Sequence, residues 1–163
     1  ATAVALGATI EVRSVRGSRQ IPAAEFYLGP YMTVLEPDEL VTGILFPHWP
    51  SGHDPLFREL AQRPGDFALA GVVGALMVEG GRITRAGIGW FAMGPTPLRA
   101  TVAEQLLVGQ AIDQIDTQAI AERAIADAAP FDDQHASAEY RRTVGKRLLA
   151  RALNEALNVG EAA

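Results

Sequence analysis

Apolar and polar side chains alternate along residues 8–13 (ATIEVR), with Ala8, Ile10 and Val12 on one face and Thr9, Glu11 and Arg13 on the other. That period of two predicts a half-buried strand. Gly17-Ser18 can turn it, and Arg19–Ile21 can pair back as the second arm of a hairpin. Pro22 suits a first helical turn, so AAEFYL after it predicts a short helix ended by Gly29-Pro30. Thr33–Leu35 predicts a short strand and Glu36–Glu39 a turn, and Leu40–Phe46 predicts a strand stopped by Pro47. Phe57–Ala61 reads as another short strand. Phe67–Val78 (FALAGVVGALMV), rich in small and branched residues, reads as a strand buried on both faces. Glu79–Arg82, with two central glycines, is a hairpin turn from which Ile83–Ala92 returns before Gly94-Pro95-Thr96-Pro97 breaks the pattern.

The period then changes to that of helices. Thr101–Leu107 is predicted as a short helix with a capping box, Thr101 at the N-cap and Glu104 three residues on. Asp116 or Thr117 opens a second helix through Ala128, with Ile120, Ala121, Ala124 and Ile125 on one stripe. Ser137 and Tyr140 open a third, long one to about Leu157, facing Leu148, Leu149, Leu153 and Leu157 inward. Strands followed by helices predict an α+β fold, an antiparallel β-sheet of three to four strands with a helix bundle on one face. Proline and glycine concentrate in residues 47–56 (PHWPSGHDPL), which divides the chain into 1–50 and 56–163.

Composition narrows the functions. The 163 residues contain no cysteine, which excludes disulfides, thiolate metal sites, iron–sulfur ligation and cysteine nucleophiles on this chain. A net charge of −5 argues against a general nucleic-acid binder. No apolar run approaches the ~20 residues of a membrane span, since Gly71 and Gly74 interrupt the longest.

Candidate chemistry is sparse. His48, His53 and Asp54 could offer a metal two imidazoles and a carboxylate, but Pro50 and Gly52 leave their spacing unfixed and a solvated linker is the better reading. Asp132, Asp133, His135 and Ser137 have the composition of a nucleophile relay, without a Gly-x-Ser-x-Gly elbow. They lie at the mouth of a helix, where Asp and Ser serve as caps. The run Arg141, Arg142, Lys146, Arg147, Arg151 is either a solvated helix face or a docking surface for a partner. The glycines of GVVG (71–74) and GIGWFA (87–92) lie within strands and open no helix, so they permit close packing rather than cradle a phosphate. Arg63-Pro64-Gly65-Asp66 stays open between two readings. One is a turn whose Asp bonds nearby backbone; the other is a charged pair presented to a ligand, with Arg58 one short strand away.

Five ordered segments carry a resemblance: AEFYLGPYMTVLEPDELVTGILFP (24–47), FRELAQRPGDFALAGV (57–72), AGIGWFAMGPTPLRA (86–100), AEQLLVG (103–109) and SAEYRRTVGKRLLARAL (137–153). Together the chain resembles the medium, FAD-binding subunit of the molybdenum hydroxylases, the group of carbon monoxide dehydrogenase and xanthine dehydrogenase. The resemblance implies that residues 1–50 are the end of an α/β FAD-binding subdomain and 56–163 the C-terminal domain. It implies an oxidoreductase subunit in the cytoplasm that passes electrons from iron–sulfur clusters through FAD to an acceptor. The molybdenum cofactor and 2Fe-2S clusters would then sit on a large and a small partner subunit. The family's glycine-rich FAD loops lie upstream of the part resembled, so the chain is expected to be the C-terminal half of a longer subunit, inactive and a poor FAD binder without its N-terminal half. By resemblance, Leu40 and Val41 pack against the flavin ring, Arg58 falls where xanthine dehydrogenases place a lysine, and Arg63 and Asp66 match the charged turn along the flavin's approach. The alternative is a docking module of such a complex that does not contact flavin.

Overall fold

The structure, a computed structural model, describes residues 1–158. Its first part contains α1 (Thr2–Ala5), β1 (Thr9–Ser14), β2 (Gly17–Pro22), α2 (Ala23–Phe26), β3 (Tyr27–Gly29), β4 (Met32–Thr33) and β5 (Leu40–Leu45). β2, β1 and β5 form an antiparallel sheet in that order. The alternation of β1 turns Ala8, Ile10 and Val12 into a small core with Val4, Ile21, Ala23 and Phe26. The helix expected after Pro22 is a single turn. Tyr27 is already extended (φ −98°, ψ 126°), and Tyr27–Gly29 pairs with Met32–Thr33 around Gly29-Pro30, so the predicted strand at 33–35 begins earlier and ends at Thr33. Bulky Tyr27 and Leu28 before a turn dipeptide favour the hairpin over a second helical turn.

Among the described residues β5 pairs only with β1, which leaves its other edge open. Its apolar residues project from both faces, and Leu40 is 73% exposed, with Val41, Ile44 and Leu45 exposed as well. A strand this apolar is ordinarily covered on at least one face.

The second part is the antiparallel sheet β6 (Asp54–Ala61), β7 (Ala68–Glu79), β8 (Arg82–Phe91) and β9 (Leu98–Arg99), in that order. One face carries α3 (Thr101–Leu107), α4 (Thr117–Ala124, continued by a 3₁₀ turn at Ile125–Asp127) and α5 (Ala138–Asn158). Leu56, Val72, Leu76, Ile88 and Trp90 of the sheet meet Leu107, Leu149 and Leu153 of the helices in one buried core. The α+β architecture is as the pattern predicts. β6 starts earlier than expected, inside the proline-rich segment, because it is an edge strand on which Pro55 can lack an N–H without breaking a ladder. Gly80 (φ 56°) and Gly81 (φ 73°) make the β7–β8 turn that their left-handed backbone permits.

Helix starts divide into two kinds. Asp116 accepts the N–H groups of Gln118 and Ala119 at 3.0 Å, and the Ser137 hydroxyl accepts that of Tyr140 at 3.1 Å. The capping box at α3 is not formed. Ala100 is the N-cap, while Glu104 accepts Ile88 N–H and Arg99 Nε, each at 2.9 Å. Asp127 supplies the cap from across the bundle, accepting Val102 N–H at 2.8 Å. A neighbouring strand outcompetes the local backbone for the Glu104 carboxylate.

The other face of the second sheet is glycine-lined. A side chain at Gly87 would meet the Ala5 carbonyl of α1 at 2.7 Å and the Trp49 ring at 2.9 Å. Arg85 stacks over Trp49, 4.0 Å from its ring centroid, and donates to the His48 carbonyl at 2.9 Å. Residues 47–53 are exposed apart from half-buried Trp49, as expected of a solvated linker, and Trp49 anchors them to the sheet. Gly87→Ala is expected to destabilise the fold by about 1–3 kcal/mol through overpacking, read from a denaturant titration. Among the described residues no helix is long and apolar enough to cross a membrane.

Candidate functional site

The β6–β7 connection is built by its turn residues. Gly65 adopts φ 84°, Asp66 N–H bonds the Arg63 carbonyl at 3.1 Å, and the Arg63 guanidinium lies 3.3 Å from the Asp66 carboxylate. Asp66 also accepts Phe67 N–H at 3.2 Å. The turn reading is thus the one the geometry shows: Asp66 bonds backbone and is paired with the solvent-facing Arg63. By taking the N–H of Phe67, Asp66 keeps that residue out of β7. Phe67, expected inside a buried strand, is instead 92% exposed.

Behind the turn lies a cavity of about 280 Å³, lined by Asp66, Phe67, Phe131, Asp133, His135 and Arg141 among others. A cleft sharing His135 continues from it past Ser137 and Tyr140. Its organising group is Arg141, only 6% exposed although the sequence placed it in a basic helix face. Arg141 Nη1 donates to the Leu69 carbonyl and, at 3.4 Å, to that of Ala92, and Nη2 donates to Asp133 at 2.6 Å. Its Nε is buried and has no partner among the described residues. Ala92 itself adopts φ 55°, a left-handed conformation that costs an alanine about 1–2 kcal/mol.

Asp133 is the counterpart. His135 N–H at 2.8 Å, Ala136 N–H at 2.9 Å and Arg141 hold its carboxyl down from 3.8 to about 2. A depressed carboxylate stabilises the fold above its unfolded pKa and loses that contribution as pH falls through the folded value. The stability difference between the native chain and Asp133→Asn should therefore be full at neutral pH and shrink between pH 3.8 and about 2, as thermal unfolding across that range would show. Two further members of that group act as caps, as their place at a helix mouth predicts: Asp132 accepts Ala138 N–H at 2.6 Å and Ser137 caps α5.

Three groups of sequence-derived candidates fall in three places. Arg63 and Asp66 come together in the β6–β7 turn, and Asp66 lines the cavity. Arg58 lies on β6, donates to the Phe57 carbonyl at 2.9 Å and pairs with Glu155 of α5, which also receives Arg151. Leu40 and Val41 lie on β5, in the other sheet, and are exposed. Of the remaining basic run, Lys146 pairs with Glu122 at 2.9 Å, and Arg142 and Arg147 are exposed. His53 Nδ1 is 2.9 Å from the Pro50 carbonyl, and among the described residues no cluster of three His, Asp or Glu is placed to hold a metal. The sequence reading missed Phe67 and Phe131 and did not join Asp133 to Arg141. The available signals were an aromatic straight after a Gly-Asp turn and a carboxylate eight residues before an arginine across a helix start.

Comparison with known proteins gives the same picture at larger scale. A family model described as the CO dehydrogenase flavoprotein C-terminal domain matches residues 56–156, and one described as the FAD binding domain in molybdopterin dehydrogenase matches residues 1–49. The carbon monoxide dehydrogenase medium chain of Afipia carboxidovorans is 36% identical over 93% of this chain and 52% of its own length. The nicotine 6-hydroxylase medium subunit of Paenarthrobacter nicotinovorans is 36% identical over 94% of this chain and 53% of its own. A solved carbon monoxide dehydrogenase from Hydrogenophaga pseudoflava superposes with a TM-score of 0.88 at 34% identity, over 94% of this chain and 54% of that one. The chain spans about half the length of the curated relatives it matches.

Proposed function

The chain belongs to the CO dehydrogenase flavoprotein C-terminal domain family, and from that premise we propose that it is part of the FAD-carrying electron-transfer subunit of a molybdenum-containing hydroxylase or dehydrogenase. Residues 1–50 would complete an FAD-binding domain with an N-terminal half, and 56–163 would form the C-terminal domain. The molybdenum cofactor and the 2Fe-2S clusters would sit on a large and a small partner subunit. Bound FAD would supply electron storage between those clusters and an acceptor.

The observation that carries this reading is an FAD-domain match at residues 1–49 coinciding with an apolar strand, β5, left uncovered on both faces. The residues present fit a flavin ring, which is flat and apolar with a polar edge. Leu40 and Val41 would offer apolar surface from β5, and Arg58, Arg63 and Asp66 would offer charge from β6 and the β6–β7 turn. Each cation already has a carboxylate partner, Glu155 or Asp66, which softens its field. The balance of these charges is what the chain can use to set a flavin's potential. Asp66→Asn is expected to raise that potential, since a negative charge is removed from beside a group that becomes more negative on reduction. Arg58→Ala is expected to lower it, by the reverse argument. Redox titration of both variants against the native protein checks the two signs.

The primary experiment is co-expression of this chain with its N-terminal half and measurement of the flavin absorption bands of the purified protein. Bound flavin that responds to Val41→Asp and Arg58→Ala supports the proposal. No flavin, or flavin indifferent to both changes, overturns it, and the indifferent case favours a docking module.

A further inference from the structure

The β7–β8 ladder ends at Gly71↔Phe91, four residues from Phe67 of the turn and one short of left-handed Ala92. At that open end the two strands no longer bond each other. Arg141 stands where the next rungs would be. One Nη1 reaches the Leu69 carbonyl of β7 and the Ala92 carbonyl following β8, and Nη2 is gripped by Asp133 from the segment before α5. The residue after Ala92 is fixed from the same helix: Met93 is fully buried, and a side chain at Gly145 would meet its sulfur at 3.2 Å. One helix therefore determines where both strand ends lie, and with them the cavity wall and the base of the Arg63–Phe67 turn. The carbonyls and the carboxylate are bonded by two different nitrogens of a planar guanidinium, a spacing that a lysine ammonium, with its three donors on one nitrogen, does not reproduce.

We propose that Arg141 is a positioning residue, acting through Leu69 and Ala92 to fix the Arg63–Phe67 turn against the cofactor. This rests on the reading of the chain as one wall of a flavin site. Arg141 touches no reacting atom in that scheme. Its effect is to set where Asp66 and Phe67 stand.

The test uses the longer protein, this chain with its N-terminal half, with and without flavin. Arg141→Lys is compared with Arg147→Gln, an exposed change on the same helix. Hydrogen exchange should quicken about tenfold at the amides of residues 67–69 and 92–94 in Arg141→Lys, and stay unchanged in β1 and α3. The visible circular dichroism of the flavin and its reduction potential should shift in Arg141→Lys and not in Arg147→Gln. If Arg141→Lys does not fold, Asp133→Asn serves. It can still accept the His135 and Ala136 N–H groups while losing its charge toward Arg141, and should give smaller shifts of the same kind. A folded variant with native exchange overturns the proposal. Faster exchange with an unchanged flavin spectrum and potential also overturns it, leaving Arg141 a structural tie alone. A native protein that takes up no flavin overturns the functional reading instead, and the exchange measurement still decides whether Arg141 holds the turn.

Discussion

In the proposed pairing of this chain with an FAD-binding N-terminal half, Val41→Asp is expected to weaken flavin binding about a hundredfold, the equivalent of roughly 2.7 kcal/mol. The reasoning runs from exposure to contact. Val41 is solvent-facing on β5 in the present chain, so the substitution removes no core packing here and should leave the unfolding of this half nearly unchanged. Against an apolar ring, the same carboxylate would give up its water without gaining a partner. Fluorescence titration of the apoprotein with FAD measures the loss, and Val41→Leu should retain native affinity because it keeps the apolar surface. Native affinity in Val41→Asp would remove this residue from the cofactor wall. A fall in unfolding midpoint as large as the fall in affinity would show that the strand is buried for reasons of folding.

The largest effect on stability should come from Trp90→Ala. Trp90 is fully buried on β8, in register with Val72 on one side and Leu98 on the other, at the centre of the core shared by sheet and helices. Truncating it opens a cavity that close-packed strands cannot collapse into, at a cost of about 3–5 kcal/mol. A loss of that size lowers the thermal midpoint by roughly 10 °C in a chain of this length. Trp90→Phe, which refills part of the volume, should recover much of it. Equal loss in both variants would show that a phenyl ring does not refill the space the indole occupies.

The elements that could be read from sequence are those whose signals are local. β1 declares itself by alternation, the β7–β8 turn by two glycines that accept positive φ, and α5 by Ser137 three residues before Tyr140. The misreadings arise where a distant partner intervenes. Thr101 and Glu104 have capping-box spacing, but Ile88 and Arg99 are nearer claimants for the carboxylate. Pro55 looks like a strand breaker until β6 is seen to be an edge. Arg141 belongs to a basic run by sequence, and nothing along the helix announces that two strand ends deliver bare carbonyls to it. Phe67 belongs to an apolar run by sequence, and a single side-chain bond from Asp66 to its N–H takes it out of the strand. The cavity was invisible because its members are scattered over residues 62–141 and share no spacing.

The Arg85–Trp49 stack has a consequence for how a ligand could enter between the two sheets. With the chain between β5 and β6 pinned by an aromatic ring under a guanidinium and by a bond to the His48 carbonyl, that crossing behaves as a tenon in its mortise rather than as a door hinge. Swinging one sheet away from the other would first have to pull Trp49 off Arg85 and out of the hollow that Gly87 leaves for it. The β2-β1-β5 sheet and the β6-β7-β8-β9 sheet are therefore tied at that crossing, and the open edge and faces of β5 can be covered without separating them.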